Sequence, residues 1–214
     1  MSETEGLHTL YGSQGSGSAA VEVALERTGA PFRIIRASSW EPDSALGELE
    51  KLNPLRQVPT LQLPDGSVLT ESAAILVHLG LSFPASGLLP ADATARAQSI
   101  RGLVFITANC YSAISIIDFP ERWIADPDEA ANERIRRAAR GRLHQHWQMF
   151  ADTFAARPFL SGDEPGALDF LAAVVSRWSG TRPHLRTHRP EFLSVLERIE
   201  AHPSVASVFA RHWP

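Results

Sequence analysis

Sulfur is scarce in this chain: 214 residues contain one cysteine, Cys110, and two methionines. A lone cysteine closes no internal disulfide, so packing and hydrogen bonds must hold the fold, and a reducing cytoplasm is the expected compartment. The N-terminal Met-Ser-Glu-Thr-Glu-Gly is acidic and lacks the apolar core of a secretion signal. No apolar run approaches the ~20 residues of a membrane span, so no membrane partner is expected. Strong net charge is missing too. Twenty Lys and Arg against 24 Asp and Glu leave −4, which gives nucleic acid no general electrostatic attraction. The local exception, Arg134, Arg136, Arg137, Arg140 and Arg142, reads as the solvated face of a helix. Metal-ligand spacing is also absent: His144 and His146 diverge on a helix, and His184 and His188 flank a proline-rich loop. The chain shows no internal repeat and no low-complexity segment.

What is present is a hydrophobic share of 44%, enough for a substantial core in one large or two compact domains. The first third alternates strand and helix: His8 to Tyr11 extended, Ser18 to Arg27 helical, Phe32 to Arg36 extended and Ser44 to Leu52 helical. The first two strands, joined through a helix, should run parallel with a right-handed crossover; two later strands should be antiparallel. This is a thioredoxin-like order. The segment Pro84-Ala-Ser-Gly-Leu-Leu-Pro90 reads as a linker, and beyond it strands disappear. From Asp92, Ile100, Leu103, Val104, Ile106, Ala108, Tyr111, Ile114 and Ile117 mark a long apolar helix. Arg134 to Phe154, Ala167 to Trp178 and Glu191 to Glu200 are further helices. The expected fold is an α/β thioredoxin-like domain at 6–83, a linker at 84–91 and an all-α domain at 92–214.

The richest stretch runs from Asn53 to Ser72. Val58-Pro59 opens the apolar run Thr60 to Leu63, which puts Pro59 at a strand's first position, where its missing N–H is tolerated and Val58 is pushed extended. An extended backbone there can pair with a small peptide. Pro64-Asp-Gly-Ser67 reads as a turn, and Thr70-Glu71-Ser72 starts the helix Ala73 to Leu81, with its free N–H groups facing any carboxylate at that end.

Gln57-Val58-Pro59 and Thr70-Glu71-Ser72, in that order of elements, resemble the glutathione site of the glutathione S-transferase family. The resemblance covers His8 to Pro214. It implies a cis Val58-Pro59 bond, with Val58 holding the cysteinyl backbone and Glu71-Ser72 the γ-glutamyl group. Gln57 or Arg56 would reach the glycyl carboxylate. Glutathione would be co-substrate, with no metal. Gly166-Ala-Leu-Asp169 matches the family's capping box without its cap hydroxyl. Glycine in that place costs only a few tenths of a kcal/mol relative to serine, and Asp169 can still accept from the cap N–H, so Asp169 is read as structural.

A glutathione thiol near pKa 8.5 is only a few per cent ionised at neutral pH, and lowering it by about two units takes roughly 2.7 kcal/mol. A helix N-terminus plus one hydroxyl is of that order. The groups available lie in Tyr11-Gly-Ser-Gln-Gly-Ser-Gly-Ser18. Set against the bacterial pattern Tyr-Tyr-Ser-Pro-Gly-x-Cys-Ser, the second Tyr falls on Gly12 and the Cys on Gly17, so both usual activators are missing. Ser16 is then the nearest to the serine-type activator and Ser13 the second choice; Ser18 more often caps or packs, and Tyr11 packs below the site. Without a loop cysteine, chemistry through a mixed disulfide is disfavoured. A phosphate loop fails on spacing and on the missing Lys.

The family's second-substrate pocket lies beside the long helix, where Phe105, Asn109 and Ser112 share a face with Tyr111 adjacent and Trp178 on a later helix. Cys110 reads as a small buried hydrophobe. The resemblance implies a cytoplasmic, homodimeric detoxification transferase that conjugates glutathione to a small hydrophobic electrophile. Two alternatives stay open: a glutathione-dependent isomerase of the maleylacetoacetate or maleylpyruvate kind, and a non-catalytic interaction module.

Overall fold

Buried Leu10 and Tyr11 alternate along the first strand, β1 (His8–Gly12), and the sheet assembles around it. The computed structural model describes residues 6–41 and 43–214; residues 1–5, including the acidic N-terminal run, and Pro42 lie outside the described residues. After α1 (Ser18–Thr28), β2 (Phe32–Arg36) pairs parallel to β1 with His8 opposite Phe32. Following α2 (Leu46–Leu52), β3 (Thr60–Gln62) pairs antiparallel to β1 with Leu10 opposite Leu61, and β4 (Val68–Leu69) pairs antiparallel to β3. The strand order is β2-β1-β3-β4; the parallel β1–β2 and antiparallel β3–β4 pairings agree with the sequence reading, which left the β1–β3 pairing open. The turn between β3 and β4 is held by Asp65, whose carboxylate accepts from the Ser67 N–H (2.9 Å) and hydroxyl (2.6 Å).

The rest is helical: α3 (Ser72–Ser82), α4 (Ala93–Phe105), α5 (Ser112–Asp118), α6 (Glu129–Thr153), α7 (Ala167–Val175), α8 (Thr181–His188), α9 (Pro190–Ala201) and α10 (Pro203–His212). A π-helical segment, Ile106–Tyr111, joins α4 to α5, so Ala93 to Asp118 is one 26-residue helical run. With an 18-residue window of mean hydropathy 1.5, that run is long and apolar enough to cross a membrane by those measures, contrary to the sequence expectation. Here Leu103, Ile106, Cys110, Ile114 and Ile117 bury its apolar face against α6 and α7.

Two helices were not foreseen. α8 has Pro183 in its first turn and α10 has Pro203 at its first position, where the N–H lacks an intrahelical partner in any case, so proline starts helices that it suggests as loops. His184 and His188 therefore lie on α8 rather than beside a loop, and the His144, His184 and His188 rings stack in a row at 4.2 and 4.1 Å. Residues 176–178, expected as helix, lie past the end of α7.

α1 ties the halves together. Its Ala19, Ala20, Val21, Val23, Ala24 and Leu25 are fully buried, and it packs against α3, α7 and α10 at once. One continuous core runs from Leu10 and Leu61 through α1 and α3 to Leu103, Trp147, Phe150 and Phe170.

Candidate active site

The loop after β1 turns on two tight contacts. A side chain at Gly12 would meet the Ser18 hydroxyl at 2.6 Å, and one at Gly17 would run into the hydroxyl of Tyr111. The two positions that carry the usual activators in the bacterial pattern are thus filled from elsewhere. The three loop serines divide. Ser13 Oγ donates to Glu41 Oε1 at 2.5 Å and does not reach the cleft described below, so the second-choice activator is turned away. With the Arg36 guanidinium on its other oxygen (2.8 Å), that hydroxyl holds the Glu41 carboxyl below the usual range. Ser18 Oγ accepts from the Ser13 N–H (3.2 Å) and packs inside the turn. Ser16 lines the cleft; its Oγ donates to the Ser13 carbonyl (2.7 Å) and lies 2.8 Å from Ser18 Oγ.

The C-terminal helix braces this loop, a link the sequence does not signal because the partners are about 197 positions apart. The Gly15 N–H donates to His212 Nδ1 (3.1 Å), which leaves the other ring nitrogen, 2.8 Å from Glu22 Oε2, as donor to α1. Gln14 Nε2 donates to the Arg211 carbonyl at 2.9 Å.

Across the cleft, the Val58-Pro59 peptide is cis. The segment before it is fixed by the buried Asn53, whose amide donates to the Gln57 carbonyl (3.1 Å) and to Thr60 Oγ1 (3.0 Å). Among the described residues the N–H and C=O of Val58 have no intramolecular partner, so this short edge is open to a peptide. Tyr11 packs beneath it with Ala37 and Leu49. Glu71, just before α3, has φ +65° and ψ 112°, a conformation costing on the order of 1–3 kcal/mol that persists only where its surroundings impose it. It turns the chain so that Thr70, Glu71, Ser72 and the free N–H groups of α3 line the cleft with Gln57, Val58 and Pro59. Arg56 lines the same wall.

The cleft holds about 710 Å³ and runs on to the π segment and α5. Here the sequence expectation needs correction. Phe105 packs in the core on Phe150 and Phe154, with ring centroids 5.8 and 6.1 Å away. Asn109 is half-buried, its side-chain amide donating to the Phe105 carbonyl one turn back (3.0 Å) while its backbone carbonyl lies 2.9 Å from His146 Nδ1. Neither residue lines the cleft. The choice of face is the reason: Thr107, Tyr111, Ser115 and Asp118, which meet the cleft, repeat at helical spacing on a face beside the one that carries Phe105 and Asn109. Thr107, Tyr111, Ser112, Ser115 and Asp118 do meet it, with Trp178 standing edge-on to Tyr111 at 5.5 Å. Trp40, Phe119 and Arg122, which sequence reasoning missed, close the mouth, the Arg122 guanidinium lying 3.9 Å above the Phe119 ring. Lone exposed aromatics in loops carry no periodic signal.

Burial raises the Asp118 carboxyl and pushes the Tyr111 phenol up to about 12, aided there by the charges of Asp118 and Glu71. Cys110 is fully buried behind this face, its thiol also raised to about 12 by burial. The described residues contain no cluster of His, Cys, Asp and Glu suited to a metal ion. One wall therefore offers an unpaired peptide edge and an anion-binding helix start, another a hydroxyl beside a helix N-terminus, and the third an aromatic and hydroxyl face.

A family model described as the glutathione S-transferase N-terminal domain matches residues 18–81. An uncharacterized GST-like protein of Escherichia coli (strain K12), YncG, is 27% identical over 205 residues, spanning 95% of this chain and 97% of that protein. A maleylacetoacetate isomerase of Pseudomonas aeruginosa is 26% identical over 168 residues, 76% of each chain. Among solved structures, a glutathione S-transferase of Methylobacterium radiotolerans in complex with glutathione sulfonate superposes with a TM-score of 0.74 at 26% identity. The match covers 95% of this chain and 94% of that one.

Proposed function

We propose that this chain, which belongs to the glutathione S-transferase family, binds glutathione in the cleft between residues 6–83 and 92–214 and presents its thiolate to an electrophilic carbon of a small apolar substrate. The observation that carries the reading is the unpaired Val58 backbone at the cis-proline corner, facing Glu71, Ser72 and the start of α3 across one cleft. Val58 exchanges two hydrogen bonds with the cysteinyl residue, as a strand added to the sheet edge. The Glu71 carboxylate and the Ser72 hydroxyl take the γ-glutamyl amino and carboxylate groups, the latter at the positive end of α3. Gln57 and Arg56 reach the glycyl carboxylate.

The sulfur then lies at the start of α1, beside Ser16. The protein's contribution is positioning and stabilisation of the thiolate by hydroxyls and backbone dipoles, with no proton-transfer residue required in the attack. The relative solved with glutathione sulfonate supports the co-substrate. The compartment is the cytoplasm and the working unit a homodimer.

Calorimetric titration with reduced glutathione tests the reading: saturable binding at millimolar concentration or below is expected. Absence of binding removes the enzymatic readings and leaves a non-catalytic interaction module. Isomerisation is the second reading, favoured by the similarity to the Pseudomonas aeruginosa isomerase. Following glutathione during turnover decides between the two, because conjugation consumes it one for one and isomerisation returns it.

A further inference from the structure

We propose that the Tyr111 hydroxyl, delivered from the helical half of the molecule, is a catalytic hydrogen-bond donor to the sulfur of bound glutathione, standing where a loop side chain at position 17 would otherwise project. This rests on the glutathione reading above.

Gly17 has φ −61° and ψ −15°, backbone that any residue adopts, so its own geometry does not call for glycine. What excludes a side chain is Tyr111, whose hydroxyl lies against the place of the missing Cβ, with the ring carbon behind it 3.3 Å away. The hydroxyl is therefore seated on the loop, within the cleft that Ser16, Gly17, Pro59 and Ser72 also line. Among the described residues it has no hydrogen-bond partner, so its proton is uncommitted. Ser16, by contrast, already donates to the Ser13 carbonyl at 2.7 Å. Trp178 stands edge-on to the ring at 5.5 Å, and both residues line the cleft.

Burial keeps the phenol protonated throughout the physiological range, which suits a donor and excludes a base. On ionisation the glutathione proton passes to solvent at the cleft mouth. Tyr111 keeps its own proton and shares it with the sulfur anion.

The test is the pH titration of thiolate absorbance of enzyme-bound glutathione in the wild type, Tyr111→Phe, Gly17→Ala and the double variant. Tyr111→Phe deletes an unpartnered hydroxyl and keeps the ring, so its melting temperature should match the wild type. Its thiolate midpoint is expected to rise by about one pH unit. Binding of glutathione below that midpoint should change by less than about twofold, since the protonated thiol makes only a weak hydrogen bond. With midpoints of about 6.5 in the wild type and about 7.5 in the variant, kcat/KM at pH 7 should fall by about threefold, with the deficit closing at high pH. Gly17→Ala displaces the hydroxyl and should raise the midpoint in the wild type, adding nothing to Tyr111→Phe. An unchanged midpoint in Tyr111→Phe with glutathione still bound overturns this inference alone, as does an equal Gly17→Ala shift in both backgrounds. Failure of the wild type to bind glutathione overturns it together with the proposed function.

Discussion

At the scale of single residues, the loop after β1 separates chemistry from scaffolding by the direction of each hydroxyl. Ser13 is committed to Glu41 and Ser18 to the turn, while Ser16 meets the cleft. Because the Ser16 hydroxyl must leave the Ser13 carbonyl to reach sulfur, Ser16→Ala is expected to raise the thiolate midpoint of bound glutathione by less than Tyr111→Phe does, and Ser13→Ala to leave it within a few tenths of a unit; the same absorbance titration reads both. Glu71 acts on binding instead. Glu71→Ala removes the partner of the γ-glutamyl amino group and is expected to weaken glutathione by about 10- to 100-fold in calorimetry. The sequence shows these residue types and their order along the chain. It does not show which way Ser13 points, because Glu41 is 28 positions away and nothing local links the two.

At the scale of elements, α1 and α10 are joined by one buried cluster. Burial would raise the Glu22 carboxyl, but hydrogen bonds from His212 and Arg211 outweigh it and hold the group below its ordinary 4.5. A carboxyl whose folded value is depressed stabilises the fold above its unfolded value and loses that contribution as pH falls through the folded one. Glu22→Gln is accordingly expected to cost roughly 2 kcal/mol in denaturant titrations near neutral pH, with the gap to the wild type narrowing as the pH drops below about 4.5. The same cluster carries the loop contact from Gly15, so acid that loosens α10 also loosens the sulfur site. Periodicity located α1, α3, α6 and α9 within a few residues. It failed at α8 and α10, where a first-turn proline looks like a breaker, and it gave no sign that the long helix passes through a π segment at Ile106–Tyr111.

Across the whole molecule, the halves are stitched through polar groups as well as the shared core. Arg27 on α1 donates to the Ser86 carbonyl (3.1 Å) and to the Pro165 carbonyl (3.0 Å), tying the linker and the approach to α7 to the first helix. Beyond it, the fully buried Asp169 gathers three backbone N–H groups, from Leu160 (2.7 Å), Ser161 (2.9 Å) and Gly166 (3.0 Å). Its capping role was legible in the Gly166-x-x-Asp169 spacing; its grip on the preceding loop was not. Asp169→Ala strands those donors in the core, and a loss of about 3 kcal/mol in chemical denaturation is expected, with glutathione affinity of the folded fraction unchanged.

The sequence by itself determined the strand and helix order of residues 8–81, the parallel first pair and antiparallel last pair of strands, the proline corner with its acidic helix start, and the structural part of Asp169. Each is written in contiguous residues, where periodicity, turn chemistry and capping act over a few positions. Only the tertiary structure decided which loop serines line the cleft, that Phe105 packs on the core and Asn109 stays off the cleft, and that Tyr111 from one half is seated on Gly17 of the other. Those are contacts between segments far apart in the chain, and side-chain direction there is set by close packing across the shared core.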